Sequence, residues 1–351
     1  MEFAEGFDAT EAKLALTLCA LSYTDAAPLP NELLSAHAAR MRQDIDAALT
    51  RSDYPAWRVV WGPGMNPGRD NMFYIAGNLT AQQYVVVIRG TEWHFLLDWL
   101  EDFGSLLGLE DFPYLVGQPV GGEVQVTKGM AMGLQQLLAI TSTEDRQAPG
   151  FWSFIQQLPA EASVMVTGHS LGGALATLLA AWLAWRRDGA DRLKVYTFAA
   201  PSPGDEGFAT YYNQLFQDGS SMSTAFRLYN TLDVVPNAWA SLETIKSYYV
   251  PAPQCTPEIT MVIDVAQAMM GKICAQVGTV EAGSAIALPG TVMTPLLPAA
   301  LLDIPTDKQF AWEVDYQHGT NTYLKLLDGA PIVPSLARLG NVLARLQQVA
   351  P

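Results

Sequence analysis

Ser170 stands in the stretch Gly168-His169-Ser170-Leu171-Gly172, between the apolar run SVMVT at 163–167 and the run ALATLLAAW at 174–182. A serine hydroxyl is a weak nucleophile on its own. It attacks a carbonyl only when a base removes its proton and an acid orients that base. The surroundings suit such a role, because a sharp strand-to-helix turn crowds the backbone two residues to either side of its apex, where only small residues fit. Gly173, Ala174 and Ala176 let the following helix lie close to a sheet, and Leu171, Leu175, Leu178, Leu179 and Trp182 give it apolar bulk at helical spacing. The helix start also aims free amides and a positive dipole end at the hydroxyl, where negative charge would grow during acyl transfer. The competing reading is a tight turn with no chemistry.

The chain has four histidines, His37, His94, His169 and His318. His169 is the neighbour of the serine, and such a turn throws its side chain away from the hydroxyl, so it reads as a packed structural residue. In the order serine, acid, histidine, His318 in DYQHGTNTYLKLL is the one histidine that follows Ser170, and elimination makes it the candidate base. Its alternative is a surface histidine capping a helix that begins near Gly319. For the acid, Asp233 in RLYNTLDVVPN follows a strand at 224–229, and loops at the carboxyl ends of parallel strands are where such sheets hold their chemistry. Asp315, three residues before His318, is the alternative.

The elements that would position these residues alternate in type. Helical patterns cover residues 9–50, interrupted by the PLP at 28–30. Strands are expected at 57–61, 72–76, 84–88 (YVVVI), 123–127, 163–167, 193–199 and 224–229, with helices at 129–140, 151–158, 205–216 and 334–349. Fully apolar strands separated by helical segments imply right-handed crossovers and a mostly parallel, two-faced sheet, hence the α/β class. The 351 residues read as one domain, 1–351, with a helical N-terminal extension at 1–50.

Composition narrows the partners. Lys and Arg number 20 against 35 Asp and Glu, a net charge of −15, which argues against nucleic acid and against docking on anionic lipid. Cys19, Cys255 and Cys274 allow at most one disulfide, with Cys255–Cys274 the pair that shares a segment, and free buried thiols are expected. No cysteine pair has CxxC spacing and the histidines do not cluster, so neither a metal nor an organic cofactor is expected. MEFAEGFDAT is acidic and lacks a basic leader region; the apolar windows at 259–278 and 285–305 are broken by charges or prolines. A soluble protein without a transmembrane segment is expected, cytoplasmic or exported without a leader. Asn78-Leu79-Thr80 is a glycosylation sequon with meaning only in a eukaryotic secretory route.

With these residues in view, the chain resembles the class 3 (fungal-type) lipases of the α/β-hydrolase fold. The likeness runs from about Tyr84 to Asn237 and resumes around His318, carried by VVVIRGTEWHFLLDWLEDF, VTKGM, VTGHSLGGALATLLA and YNTLDVVPN. The resemblance implies Ser170 as nucleophile, His318 as base and then acid, and Asp233 as the orienting carboxylate. It also implies an oxyanion hole made by Thr91, the residue after the glycine of the RG[ST] segment, and by the backbone N–H of Leu171. Arg89 and Asp98 look like supporting residues. Two departures stand out. Where the family often has a V-H-x-G-F segment this chain has Val126-Thr127-Lys128-Gly129-Met130, without the histidine, and 85 positions separate Asp233 from His318, more than the family pattern suggests.

In the family pattern the segment after the oxyanion residue forms a lid. Here 92–104 carries Trp93, Phe95, Leu96, Leu97, Trp99, Leu100 and Phe103 among four acids, as an amphipathic lid or an ordinary core-facing helix would. The added stretch at 251–310 reads as a helical, apolar cap, and its Met-rich run Met261–Met270 would line an acyl channel or face a core. The expected function is hydrolysis of lipid or other apolar esters through an acyl-enzyme. The alternatives are a phospholipase A1 or lysophospholipase with the same triad, and a non-catalytic interaction protein of the same fold. No obligate protein partner is expected.

Overall fold

The computed structural model describes residues 2–24, 28–69, 71–90, 108–117, 122–145, 147–217, 223–250, 253–270, 274–279, 283–293 and 305–332. The expected lid at 92–104, Thr91, Asp98 and the expected helix at 334–349 lie outside these residues.

Seven strands form the central sheet: β1 (Arg58–Met65), β2 (Met72–Asn78), β3 (Gln83–Arg89), β6 (Ser163–His169), β7 (Leu193–Phe198), β8 (Ala225–Asn230) and β9 (Ala285–Leu288), side by side in that order. A separate ribbon pairs β4 (Leu109–Asp111) with β5 (Gln125–Thr127). The first three sheet strands are antiparallel and the rest run parallel to β3. The mostly parallel sheet expected from the buried strand patterns is therefore present, with an antiparallel meander added at one edge.

Strand side chains alternate between two cores, as the period of two demands. Val86, Ile88, Val164, Val166 and Val195 face one, with Leu134 and Leu137 of α3 (Lys128–Ala139), Phe151 of α4 (Phe151–Gln156), Leu175 and Leu179 of α5 (Leu171–Arg187) and Phe208 of α6 (Glu206–Leu215). Val85, Val87, Met165, Tyr196 and Phe198 face the other, covered by α1 (Ala9–Leu21), α2 (Leu34–Arg51) and α9 (Thr320–Leu326).

Helices α1 and α2 are thus a cover of that sheet face. Asp8 caps α1 by accepting the N–H of Glu11 at 2.8 Å, and Leu14, Leu16, Leu18 and Leu21 are all buried. Each such leucine stabilises the fold by about 2 kcal/mol through burial. The Glu11 carboxylate pairs with Lys194, whose side chain is 5% exposed, so the charge of the β7 lysine is not left alone beneath the helix.

Two features of the C-terminal third depart from expectation. The stretch 251–310 is not all cap: α7 (Pro257–Met270) is helical, but Ala285–Leu288 joins β8 as the seventh strand of the sheet. Four residues with one polar-edge neighbour are too short to stand out as a strand pattern. A helix does begin just past Gly319, α9, but His318 also ends an unexpected one, α8 (Thr306–His318), whose Phe310, Val314 and Gln317 are buried at helical spacing. Cys19, Cys255 and Cys274 are free, and burial pushes the Cys19 thiol up to about 12. No helix among the described residues is long and apolar enough to cross a membrane.

Candidate active site

β6 runs straight into α5 through Ser170, which takes φ 60° and ψ −134°, a conformation that a residue with a Cβ adopts only under constraint. The constraint is visible. The Ser170 N–H donates to Phe198 O at 2.9 Å, and its carbonyl accepts the Gly173 N–H at 2.8 Å. A Cβ on Gly168 would fall 2.0 Å from Gly172 O, and one on Gly172 would fall 2.4 Å from Ile88 O. Both glycines are needed because three backbone segments meet at this corner. The N–H of Leu171, the first residue of α5, has no intrahelical acceptor by position.

The three side chains singled out for acyl transfer come together. His318 Nε2 lies 2.9 Å from Ser170 Oγ, and His318 Nδ1 lies 2.9 Å from Asp233 Oδ2. With Nδ1–H donating to the carboxylate, Nε2 is left to accept the serine proton. Asp233 is completely buried, Ser170 nearly so, and the His318 side chain is 17% exposed. Asp315, the alternative acid, is exposed on α8, and Nδ1 of His318 is taken by Asp233.

Asp233 is held by a turn in which its N–H donates to Asn230 O at 3.0 Å, just past β8. Its Oδ1 accepts the Val235 N–H at 3.0 Å, and its Oδ2 accepts the Tyr323 hydroxyl at 2.7 Å besides the imidazole. Tyr323 in turn accepts the Asn230 N–H at 2.9 Å. The Asn230 side-chain amide donates to Gln317 O and Oε1 at 2.9 and 2.7 Å, which ties the turn of the acid to the helix that ends in His318. Several donors hold a buried carboxylate in one orientation.

His169 packs as expected from its place beside the serine. It is buried, its ring centroid is 4.7 Å from that of His318, and its Nε2 lies 2.8 Å from His318 O. Burial first, and the neighbouring His318 second, hold its pKa well below the ordinary histidine range, so it is neutral and Nε2 carries the hydrogen given to that carbonyl.

Sequence reasoning missed Tyr323, Asn230 and Gln317. All three sit inside the motif stretches already quoted, five residues after His318, three before Asp233 and one before His318. Their signal is adjacency to the reactive residues, which does not say which way a side chain turns. Among the described residues no group of three or more His, Cys, Asp or Glu could hold a metal ion.

A sequence model of the family Lipase (class 3) matches residues 85–242, which contain the elbow, β7, β8 and the Asp233 turn. Over that segment the chain resembles the class 3 lipases, and its fold is the α/β-hydrolase fold. It is 28% identical over 255 residues to "Lipase ZK262.3" of Caenorhabditis elegans, an alignment covering 70% of this chain and 59% of that protein. The match thus spans under two thirds of that relative's length. Among solved structures, M37 lipase superposes with a TM-score of 0.71 at 25% identity, covering 92% of this chain and 94% of that one. The Lip2 lipase of Yarrowia lipolytica gives a TM-score of 0.46 at 22% identity, covering 68% and 77%. The class 3 lipase-like segment recognised by sequence stops at residue 242, so His318 reaches the site from outside it.

Proposed function

We propose that the protein is a serine carboxylic-ester hydrolase, a lipase or esterase acting on lipid or other apolar esters. The observation that carries this reading is the unbroken chain Ser170 Oγ, His318 Nε2, His318 Nδ1, Asp233 Oδ2, with 2.9 Å at each gap, at the apex of a strained turn. The family match and the likeness to M37 lipase support it.

In this mechanism Ser170 Oγ forms a bond to the ester carbonyl carbon as its proton passes to His318 Nε2. Asp233 holds the ring and stabilises the imidazolium. The carbonyl oxygen becomes an oxyanion, for which the Leu171 N–H and Thr91 are the proposed donors. Collapse breaks the bond to the alcohol, which leaves with the proton from His318. Water then attacks the acyl-serine by the same route, releasing the carboxylic acid and restoring Ser170.

The test is active-site labelling with a fluorophosphonate, followed by a panel of p-nitrophenyl esters of rising chain length, a triglyceride and phosphatidylcholine. Labelling that is lost in Ser170→Ala, with hydrolysis of at least one ester, is expected. Folded protein that neither labels nor hydrolyses any of them overturns the proposal. Preference for phosphatidylcholine within the panel selects the phospholipase alternative.

A further inference from the structure

The hydroxyl of Tyr23 stands where two chains leave the sheet side by side. It accepts the Gly90 N–H at 3.0 Å and donates to His169 O at 3.3 Å, with His169 Nδ1 at 3.5 Å. Gly90 follows β3 and immediately precedes Thr91, while His169 ends β6 and immediately precedes Ser170 and Leu171. The two strands are parallel neighbours, with Ile88 in register with Gly168. One phenol oxygen therefore joins the end of β3 to the residue that precedes Ser170 and Leu171.

The space for this bridge is built into the sequence. A Cβ on Gly90 would fall 2.7 Å from the Tyr23 oxygen and 2.6 Å from His169 O, so only glycine leaves the gap open. The Tyr23 ring also stands edge-on to the His169 ring, with centroids 5.9 Å apart. His169 extends the connection, since its Nε2–H supports the carbonyl of His318 at 2.8 Å. Tyr23 follows directly on α1 and its Ser22 cap, so the N-terminal region reaches the site through this side chain.

We infer that Tyr23 is a positioning residue for the reaction, holding the end of β3 at Gly90 against the elbow that carries Ser170 and the Leu171 N–H, so that the donor at the elbow meets the oxyanion. The inference rests on the ester-hydrolase reading. It gives residues 1–50 a part in the chemistry beyond covering the sheet. An oxyanion exists only in the transition state and the tetrahedral intermediate, so a misplaced donor lowers turnover and leaves substrate binding alone.

The experiment is Tyr23→Phe in the full chain, which keeps the ring and removes the bridge. The number of active sites is counted by end-point fluorophosphonate titration. Expected is a fall in kcat per titrated site of about tenfold to a hundredfold, with KM within about twofold of wild type. A boronic acid, which forms a tetrahedral adduct on the serine, binds more weakly by a similar factor, while a non-hydrolysable ether analogue binds as before. A purely structural tyrosine gives a lower melting temperature or fewer titratable sites with wild-type kcat per site, and that result overturns the inference. If Tyr23→Phe does not fold, Gly90→Ala drives a methyl group into the same bridge. The same selective loss of kcat is expected, and wild-type kcat per site in this variant overturns the inference. Wild-type protein that neither labels nor turns over defeats the ester-hydrolase reading itself, whereas active wild type with an unaltered Tyr23→Phe variant defeats only the role of Tyr23.

Discussion

The elbow at Ser170 and the helix Pro257–Met270 stand in opposite relations to the fold. At the elbow the Ser170 N–H and carbonyl are both bonded, glycines are required by contacts shorter than van der Waals distance, and α5 is buried from Gly172 to Ala184. Along α7 only one face is fixed: Ile259 and Ile263 are 6% and 0% exposed, while Met261, Val265 and Met269 are 63%, 56% and 50% exposed. The reactive atoms are constrained from all sides, and the inserted helix is constrained from one. Catalytic geometry tolerates errors well under an ångström, so its surroundings must be rigid, whereas a helix packed on one face needs only its inner stripe.

The largest effects should come from the constrained region. Ser170→Ala should lower ester turnover by about 10⁴-fold or more, and hydrolysis rates of the purified variant check this. Asp233→Asn should cost about 10⁴-fold in kcat, because an amide that donates to Nδ1 fixes the wrong tautomer of His318. Either variant with near wild-type activity would show that the hydrogen-bonded chain is not the reacting one.

Tyr323→Phe probes the layer behind the acid. The hydroxyl donates to the same Asp233 oxygen that takes His318 Nδ1, so its loss leaves a buried carboxylate oxygen with one donor fewer. A charged hydrogen bond of this kind contributes about 1.5–3 kcal/mol. The expected outcome is a drop in melting temperature together with a kcat about tenfold lower; calorimetry and steady-state kinetics read the two. An effect on stability alone would make Tyr323 a core residue that happens to touch the acid.

His169 adds a pH dependence to the constrained region. Its pKa is depressed in the folded protein, so below the unfolded value of about 6.5 the unfolded chain binds a proton that the folded chain refuses. The stability it contributes is present above that pH and is lost as pH falls through it. The groups packed on it are Tyr23, His318 and Tyr323. Denaturant melts of wild type and His169→Gln between pH 5 and 8 should show a steeper loss towards acid in the wild type. Parallel curves would place the acid sensitivity elsewhere.

The same contrast explains what could be read without coordinates. Val85–Ile88 and Val164–Val166 are buried on both faces, so an unbroken apolar run marks them plainly, and the Gly-x-Ser-x-Gly corner carries its own steric reason. His318 was reachable by elimination because it is the one histidine beyond Ser170. The helix that carries it was not legible. TDKQFAWEVDYQH buries Glu313 and Gln317 beside Phe310 and Val314, so its inner face is half polar and its apolar pattern is weak. That polarity is a hydrogen-bond network, in which Glu313 accepts the Met293 N–H and the Gln317 amide, and no one-dimensional pattern reveals partners that are brought together by folding. The strand Ala285–Leu288 is missed for a related reason: at the sheet edge, with Ala285 and Leu288 buried and only Ala287 exposed, it carries only four residues of signal.

The smallest effect separates the two faces of α7. Ile263→Ala empties a fully buried position in the apolar cluster that also holds Tyr249 and Phe310 and should cost about 2–5 kcal/mol of stability. Met261→Ser, two residues away on the outer face, removes a side chain that is mostly in water and should change stability by no more than about 0.5 kcal/mol. Neither should alter kcat on a short, water-soluble ester, because the helix contributes no group to the Ser170, His318 and Asp233 chain. Denaturant midpoints for the two variants test the difference directly. Equal losses would mean that Met261 is packed in solution, and α7 would then be constrained on both faces like the elbow.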